Sequence, residues 1–317
     1  MTPRRYDAVV VAHERVTEDV VLVRVQAPDL PAWQPGDHAD LELAPGLVRQ
    51  YSLCGTPGDD GVWTFAVLLR PDGAGGSRHV HDTLAVGAEV RVAGPKAMFA
   101  LEDAEHHLLL AGGIGVTPIL TMAEHLASQS KPFHLVYVGS TSSRMPFLDR
   151  VAALGDAVMI VDRSQTPDFT LAQALELAPA SALVYACGPD RMISELSGLV
   201  TGGRLRTESF DPAGSPVETD GSFEVQFGLD GPVRQVPDGT PMLDVLLDAG
   251  ADIIWSCREG TCGSCETPLL KGEADHRDDI LTPDEKQAQT AVFPCVSRAL
   301  CDRLVLDLPA PPALVES

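Results

Sequence analysis

Short apolar segments separated by turn-forming residues fill the first hundred positions. Residues 20–25, 39–43 and 62–69 are rich in β-branched, aromatic or alternating apolar side chains. Clusters of proline and glycine, such as Pro35-Gly36 and Pro45-Gly46, lie between them. Several short strands with closely spaced turns predict a β-sandwich or β-barrel.

From about residue 105, apolar strand patterns alternate with helical ones. The predicted strands cover residues 107–111, 133–138, 157–161 and 183–186, and the predicted helices cover 118–128, 146–154, 171–177 and 189–199. This alternation predicts βαβ units, and therefore a parallel sheet with helices on both faces.

A third region follows a segment with no apolar pattern. Residues 211–220 contain two prolines and read as a linker. Beyond it the pattern predicts a hairpin at 222–228 and 232–237, a helix at 242–249 and a closing strand at 303–308. A chain of 317 residues is long enough for two or three such domains.

Charge and targeting signals narrow the class of protein. The 45 acidic and 23 basic residues give a net charge of −22, which argues against nucleic-acid binding. The longest apolar stretch, residues 108–120, is interrupted by glycine and proline and is shorter than the roughly 18 residues of a membrane span. The N-terminus lacks a secretory signal. We therefore expect a cytoplasmic protein, a monomer, that binds neither nucleic acid nor membrane.

Seven cysteines point to metal or redox chemistry, because an odd number in a cytosolic chain argues against a disulfide framework. Four of them have the plant-type [2Fe–2S] spacing C-x4-C-x2-C followed by a distant fourth, namely Cys257, Cys262, Cys265 and Cys295. Gly260 and Gly263 permit the loop to curl around a cluster. Structural zinc is the alternative, but zinc prefers paired C-x2-C knuckles and only one is present.

Two further strings suit a flavin. In Arg49-Gln50-Tyr51-Ser52-Leu53, an arginine can meet a phosphate, a tyrosine can pack against the ring system, and a serine hydroxyl can reach its reactive edge. Small residues around Gly75-Gly76-Ser77 can offer backbone N–H groups to a phosphate. The alternatives are ordinary barrel core for the first string and a flexible loop for the second.

Two glycine-containing turns suit a nicotinamide nucleotide. The string from Gly112 to Pro118 (GGIGVTP) joins a predicted strand to a predicted helix, where a pyrophosphate binds in open α/β sheets. Cys187-Gly188-Pro189 ends a later strand of the same sheet. A buried structural cysteine is the alternative for Cys187.

In this order, the strings R-x-Y-S-L, G-G-I-G-V-T-P and C-G-P resemble the ferredoxin–NADP reductase superfamily, and residues 221–308 are similar to a plant-type ferredoxin. The whole chain thus resembles the phthalate dioxygenase reductase family. The resemblance implies a multidomain fold: a Greek-key β-barrel flavin domain over residues 1–102, a doubly wound α/β nicotinamide domain over 103–212, a linker over 213–220 and a β-grasp (α+β) ferredoxin domain over 221–317.

The resemblance also implies roles for individual residues. Those implied to bind the flavin are Arg49, Tyr51, Ser52, Leu53, Arg70, Gly75, Gly76, Ser77 and Phe210. Those implied to bind the nicotinamide nucleotide are Gly112, Gly113, Gly115, Thr117, Pro118, Cys187, Gly188 and Pro189. Those implied to act in catalysis are Ser52, Cys187, Glu208 and Phe210, the last two from the domain-ending string Glu208-Ser209-Phe210.

The implied cofactors are FMN, a [2Fe–2S] cluster and NADH. NADPH is the alternative nicotinamide cofactor, because the loop after the second strand of the parallel sheet contains Ser143 and Arg144, which could meet a 2′-phosphate, and no acidic residue. The implied function is an NAD(P)H-dependent electron-transfer reductase for a separate terminal oxygenase, a Rieske non-haem iron enzyme of the aromatic hydroxylase or O-demethylase type. The alternatives are a thiolate-haem monooxygenase partner and a non-catalytic redox sensor. The 17 acidic and seven basic residues of 221–317 would steer that region towards a basic partner surface.

Overall fold

The computed structural model describes residues 4–44, 47–58, 61–71, 75–97, 99–210, 221–255, 260, 263–278 and 280–311. The chain divides into two compact units, residues 1–211 and 212–317. The predicted linker at 213–220 lies outside the described residues, and the division at 102/103 within the first unit stays a prediction. None of the described helices is both long and apolar enough to cross a bilayer.

The first unit opens with an antiparallel sheet that carries one short helix. Its elements are β1 (Arg5–Arg15), β2 (Val20–Gln26), β3 (His38–Ala44), β4 (Leu47–Ser52), β5 (Val62–Leu68), α1 (Gly76–Asp82) and β6 (Glu89–Lys96). The strands lie in the order β4-β3-β6-β1-β2-β5. The sheet curls around a core that includes Val23, Trp63 and Phe65. The predicted barrel is therefore confirmed, as a curled half-barrel.

A parallel sheet completes the first unit. Its elements are β7 (His107–Gly112), α2 (Val116–Ser128), β8 (Phe133–Gly139), α3 (Leu148–Ala152), β9 (Val158–Asp162), α4 (Leu171–Leu175), β10 (Leu183–Cys187), α5 (Asp190–Leu199) and β11 (Leu205–Glu208). The order is β11-β10-β7-β8-β9, and every pair is parallel.

Successive residues of these strands face opposite sides of the sheet. Leu109 and Tyr185 pack on the α2 side, whereas Leu108 and Val184 pack on the side of α4 and α5. The prediction of helices on both faces is confirmed. The helix predicted for residues 146–154 is wrong in extent, because Phe147 has a φ of +63° and a helix cannot run through that conformation.

The two sheets of the first unit meet through close backbone approach and long-range hydrogen bonds. A Cβ on Gly36, whose φ is +88°, would lie 2.0 Å from the carbonyl oxygen of Phe99. Arg150 donates from Nη1 to the carbonyl oxygen of Cys54 at 2.8 Å. Cys54 is itself buried in a small apolar cluster that includes Ile114. These contacts fix the half-barrel against the parallel sheet.

The second unit is a mixed sheet with a helix packed on it. Its elements are β12 (Phe223–Phe227), β13 (Val233–Val236), α6 (Met242–Asp248), β14 (Thr267–Lys271), β15 (Ala274–Asp275), α7 (Pro283–Ala288), β16 (Ala291–Val292), β17 (Arg298–Ala299) and β18 (Arg303–Leu306). The main sheet has the order β13-β12-β18-β14-β16, and α6 buries Met242 and Leu246 in its core. The predicted hairpin, helix and closing strand are confirmed, in the β-grasp arrangement that the resemblance implied.

Tyr185→Phe is expected to destabilise the first unit. The fully buried Tyr185 hydroxyl accepts from the Glu102 N–H at 2.8 Å and donates to the Ala100 carbonyl at 2.9 Å. Removing it should lower the free energy of unfolding by about 1–3 kcal/mol. Tyr137→Phe, which removes one bond of 3.2 Å to Pro146, is the comparison and should cost less. Urea-denaturation midpoints measure both, and equal losses would contradict the assignment.

Candidate functional site

The four residues expected to act in catalysis converge in the first unit. Ser52 ends β4, Cys187 ends β10, and Glu208 ends β11, with Phe210 two positions further along. Cys187 and Glu208 are register partners in adjacent parallel strands. The Cys187 Sγ lies 3.8 Å from Glu208 Oε2, within reach of a thiol hydrogen bond.

A residue that the sequence did not single out joins them. Nε2 of His38 lies 2.8 Å from Oε1 of Glu208 and 3.1 Å from Oγ of Ser52. The His38 ring also meets the Phe210 ring edge-on, with centroids 6.4 Å apart. His38 pairs with Ser52 in the register of β3 and β4, so backbone hydrogen bonds set this arrangement.

Burial and charge set the protonation of this cluster. Burial alone would lower the pKa of His38, but attraction to Glu208 and the hydrogen bond between them outweigh it, and the pKa is raised. Burial raises the pKa of the Cys187 thiol well above its usual value, and the nearby Glu208 carboxylate adds to the shift. Cys187 is therefore a neutral thiol at physiological pH rather than a nucleophilic thiolate.

The residues expected to hold a flavin phosphate lie together at the start of α1. A Cβ on Gly76 would lie 2.4 Å from Cγ of Arg49, so the arginine side chain crosses directly over this glycine. Gly75, before the helix, has a φ of +83°. Ser77 Oγ accepts from the backbone N–H of Arg70 at 3.0 Å. A guanidinium beside backbone N–H groups suits a phosphate, so these residues fit FMN.

Tyr51 and Leu53, from the same string as Arg49, pack against the core of the half-barrel. The Tyr51 ring packs at 6.2 Å from that of Phe65, and Leu53 is fully buried in the half-barrel core. Tyr51 is only partly buried.

The two glycine-containing turns lie side by side at the carboxyl edge of the parallel sheet. A Cβ on Gly115 would lie 2.2 Å from the carbonyl oxygen of Cys187, and one on Gly112 would lie 3.2 Å from Cα of Gly188. Among the described residues, and apart from its two chain neighbours, no heavy atom lies within 4 Å of the position of a Cβ on Gly113, whose φ is +56°. Such turns at a carboxyl edge admit a nucleotide close to the backbone.

The last residues of both turns start helices. Thr117 Oγ1 donates to the Ile114 carbonyl at 3.0 Å, and Pro118 lies buried in the first turn of α2. Pro189 precedes α5, where proline costs no intrahelical hydrogen bond. These residues thus shape the edge rather than expose polar side chains to it.

Two carboxylates from other segments of the chain lie against the loop that contains Ser143 and Arg144. Asp162, at the end of β9, accepts from the Ser142 N–H at 2.7 Å, and hydrogen bonds from Ser164 and Ser142 lower its pKa to about 2. Nε of Arg144 donates to Oδ2 of Asp19, before β2, at 2.9 Å. Sequence reading missed both carboxylates because they come from elements remote along the chain.

In the second unit, two of the four expected cluster ligands are described. Sγ of Cys265 and Sγ of Cys295 lie 3.3 Å apart, and both residues are buried. This exceeds a disulfide bond of about 2.05 Å and is close to the roughly 3.8 Å between two thiolates on one tetrahedral metal with bonds of about 2.3 Å. The pair therefore fits a shared metal ion. Cys257 and Cys262 lie outside the described residues.

Comparison with known proteins supports this chemistry. Residues 229–300 match the family of 2Fe-2S iron-sulfur cluster binding domains. The vanillate O-demethylase oxidoreductase of Pseudomonas sp. strain HR199 is 37% identical over 315 residues, covering 95% of this chain and 99% of the relative.

Two solved structures are similar over nearly the whole chain. A phthalate dioxygenase reductase, described as a modular structure for electron transfer from pyridine nucleotides to [2Fe–2S], is 31% identical with a TM-score of 0.74 and covers 96% of this chain and 98% of that one. A type IV self-sufficient cytochrome P450 monooxygenase is 34% identical with a TM-score of 0.82; the match covers 96% of this chain but only 41% of that one.

Cys295→Ser is expected to remove the iron–sulfur absorption bands and about half or more of the bound iron, because serine is a poor replacement for a thiolate ligand. Cys301→Ser is the matched control, since Cys301 is a half-buried thiol of the same unit that contacts the Arg303 carbonyl at 3.2 Å. Cys301→Ser should retain the bound iron and the iron–sulfur absorption bands. Iron analysis with visible absorption tests both, and full iron retention in Cys295→Ser would remove this residue from the ligand set.

Proposed function

The chain belongs to the phthalate dioxygenase reductase family, and we propose that its electron acceptor is a separate Rieske non-haem iron oxygenase of the aromatic hydroxylase or O-demethylase type. Members of this family are oxidoreductases that carry FMN and a [2Fe–2S] cluster and oxidise NADH. The chain is accordingly the reductase component of an oxygenase system. The vanillate O-demethylase relative, which spans nearly its full length, supports a partner of the demethylase type.

The chemistry needs a group that accepts a hydride and releases single electrons, which FMN supplies to an acceptor such as the cluster. The chain supplies position and charge. Arg49 and the backbone at Gly76 would hold the phosphate, and the turn at Gly113 would admit the nucleotide. Ser52, Cys187 and Glu208 would orient and polarise the reacting edge, and Phe210 would pack against it. Hydride transfer removes no proton by general base, which agrees with a neutral thiol at Cys187.

The cluster would be held by Cys265 and Cys295 from the described part of the second unit, together with Cys257 and Cys262. Cys265 and Cys295 are buried, so a bound cluster would be shielded from water on their side. The family match over residues 229–300 favours this cluster over structural zinc.

We further propose that this chain discriminates against NADPH through Asp162 and Asp19. A 2′-phosphate entering beside Ser142 would approach the Asp162 carboxylate, whose pKa of about 2 keeps it ionised. Arg144, the cation that could have met this phosphate, is already paired with Asp19. Like charges repel and the nearby cation is engaged, so the loop favours a ribose hydroxyl.

Asp162→Asn should therefore increase kcat/KM for NADPH relative to NADH by about tenfold, which corresponds to about 1.4 kcal/mol. Asp168→Asn, at an exposed position of the same segment, removes the same charge away from the Ser142 N–H and should leave the ratio unchanged. Steady-state kinetics with both nucleotides decide this. An equal change in the two variants would assign the effect to net charge rather than to Asp162.

A thiolate-haem monooxygenase is the second candidate partner, favoured by the similarity to the P450 structure. The test mixes the purified holoprotein and NADH with a vanillate-type Rieske oxygenase or with a P450, and follows acceptor reduction by absorption. We expect faster reduction of the Rieske protein, and a rate that falls with added salt because residues 221–317 carry 17 acidic and seven basic residues.

The outcomes separate the candidates. Faster P450 reduction would overturn the Rieske assignment. NADH oxidation that stays slow even with cytochrome c as an artificial acceptor would support a non-catalytic redox sensor. A rate independent of ionic strength would remove the role proposed for the acidic region.

A further inference from the structure

His38 contacts more of the catalytic cluster than any residue predicted from sequence. It touches Ser52, Glu208 and Phe210 directly, and it reaches Cys187 through Glu208. Its side chain is 4% exposed. A buried imidazole in this position must have its hydrogen atoms and lone pairs matched to its neighbours.

The surroundings of His38 decide which ring nitrogen carries hydrogen. Nε2 faces the Glu208 carboxylate at 2.8 Å, which is a hydrogen-bond acceptor. A neutral ring with its hydrogen only on Nδ1 would set the Nε2 lone pair against a carboxylate lone pair of Glu208. Nε2 therefore carries a hydrogen whether the ring is neutral or charged.

This assignment fixes the hydrogen bond of Ser52. Because Nε2 is a donor with a single hydrogen, Oγ of Ser52, 3.1 Å away, accepts a share of the bond that Nε2–H makes to Glu208. The hydroxyl hydrogen of Ser52 is then left to donate elsewhere. The same Nε2–H holds Oε1 of Glu208, which leaves Oε2 for the Cys187 thiol.

We propose that His38 is a positioning residue, whose Nε2–H makes Ser52 a hydrogen-bond donor towards the bound flavin and holds Glu208 as the acceptor for Cys187. The proposal rests on the proposed flavin function. The ring atom that Ser52 would meet is an acceptor in oxidised flavin and carries hydrogen in reduced flavin, so a fixed donor stabilises the oxidised form. His38 therefore lowers the FMN reduction potential and orients the site for the hydride.

The test compares three variants of the holoprotein. His38→Leu removes the donor, His38→Gln places an amide N–H near the position of Nε2, and His107→Gln is the matched control. His107 is also a fully buried histidine, but its Nε2 contacts the Glu102 carbonyl, and it lies at the start of β7, away from the carboxyl edge. The readouts are the FMN reduction potential, the rate of flavin reduction by NADH in stopped flow, and KM for NADH.

His38→Leu should raise the FMN potential and slow flavin reduction by about tenfold or more with KM for NADH changed less than about twofold. His38→Gln should restore both the potential and the rate, and His107→Gln should change neither. If His38→Gln is as impaired as His38→Leu, the role needs a titrating ring and positioning is wrong. If His38→Leu leaves the potential unchanged, His38 has a structural role only and the proposal is wrong.

A measurement on the unmodified chain keeps the proposal testable if His38→Leu does not fold. In nitrogen-15 NMR spectra of the oxidised holoprotein with labelled histidine, assigned with the His38→Gln variant, Nε2 of His38 should carry hydrogen. A hydrogen on Nδ1 alone would overturn the proposal. Failure of the wild-type protein to be reduced by NADH would instead overturn the proposed function. The NMR spectrum would still show which ring nitrogen of His38 carries hydrogen.

Discussion

A half-buried carboxylate between two sheets, that of Glu208, organises the first unit. Burying an ionised carboxylate costs several kcal/mol unless charge-assisted hydrogen bonds compensate, and Glu208 finds its donor in His38, on a strand of the other sheet. That pairing requires the start of β3 to reach the end of β11. Gly36 allows the approach, since any side chain there would overlap the Phe99 carbonyl. The proposed catalytic cluster is thus located where the half-barrel and the parallel sheet are forced together.

The protonation states of this cluster limit the chemistry that its own side chains can perform. The Cys187 thiol is held neutral by burial and by Glu208, and the carboxylate is paired with an imidazole. Such a set orients and polarises but offers neither a thiolate nucleophile nor an unpaired base. A bound cofactor must therefore provide the reactivity, as family membership independently requires. The proposed nucleotide specificity follows the same logic, since Asp162 and Asp19 would act by charge at the nucleotide edge.

Local sequence patterns were sufficient to predict most strands and helices and the motifs formed by consecutive residues. Strand and helix periodicities placed the parallel sheet, and α3 was overestimated only because Phe147 adopts a left-handed conformation. His38, Asp19 and Asp162 were missed because their partners lie on other elements, as His38 and Glu208 do. The pairing of His38 with Ser52 could not be predicted from the hairpin either. A two-residue loop between Ala44 and Leu47 would pair residues whose numbers sum to 91 and set His38 opposite Leu53, and the register shift between Glu42 and Ala44 changes that sum to 90.

The strict alternation of β7 and β10 has a consequence for how such a chain can change over time. Residues 108–111 of β7 and 183–187 of β10 alternate between two cores, and Cys187 shares its side with Tyr185 and Leu109. A point substitution disturbs one core locally. A single-residue insertion or deletion would exchange both cores and turn Cys187 away from Glu208 at once. We therefore expect insertions and deletions to be tolerated in the surface connections and not in these central strands.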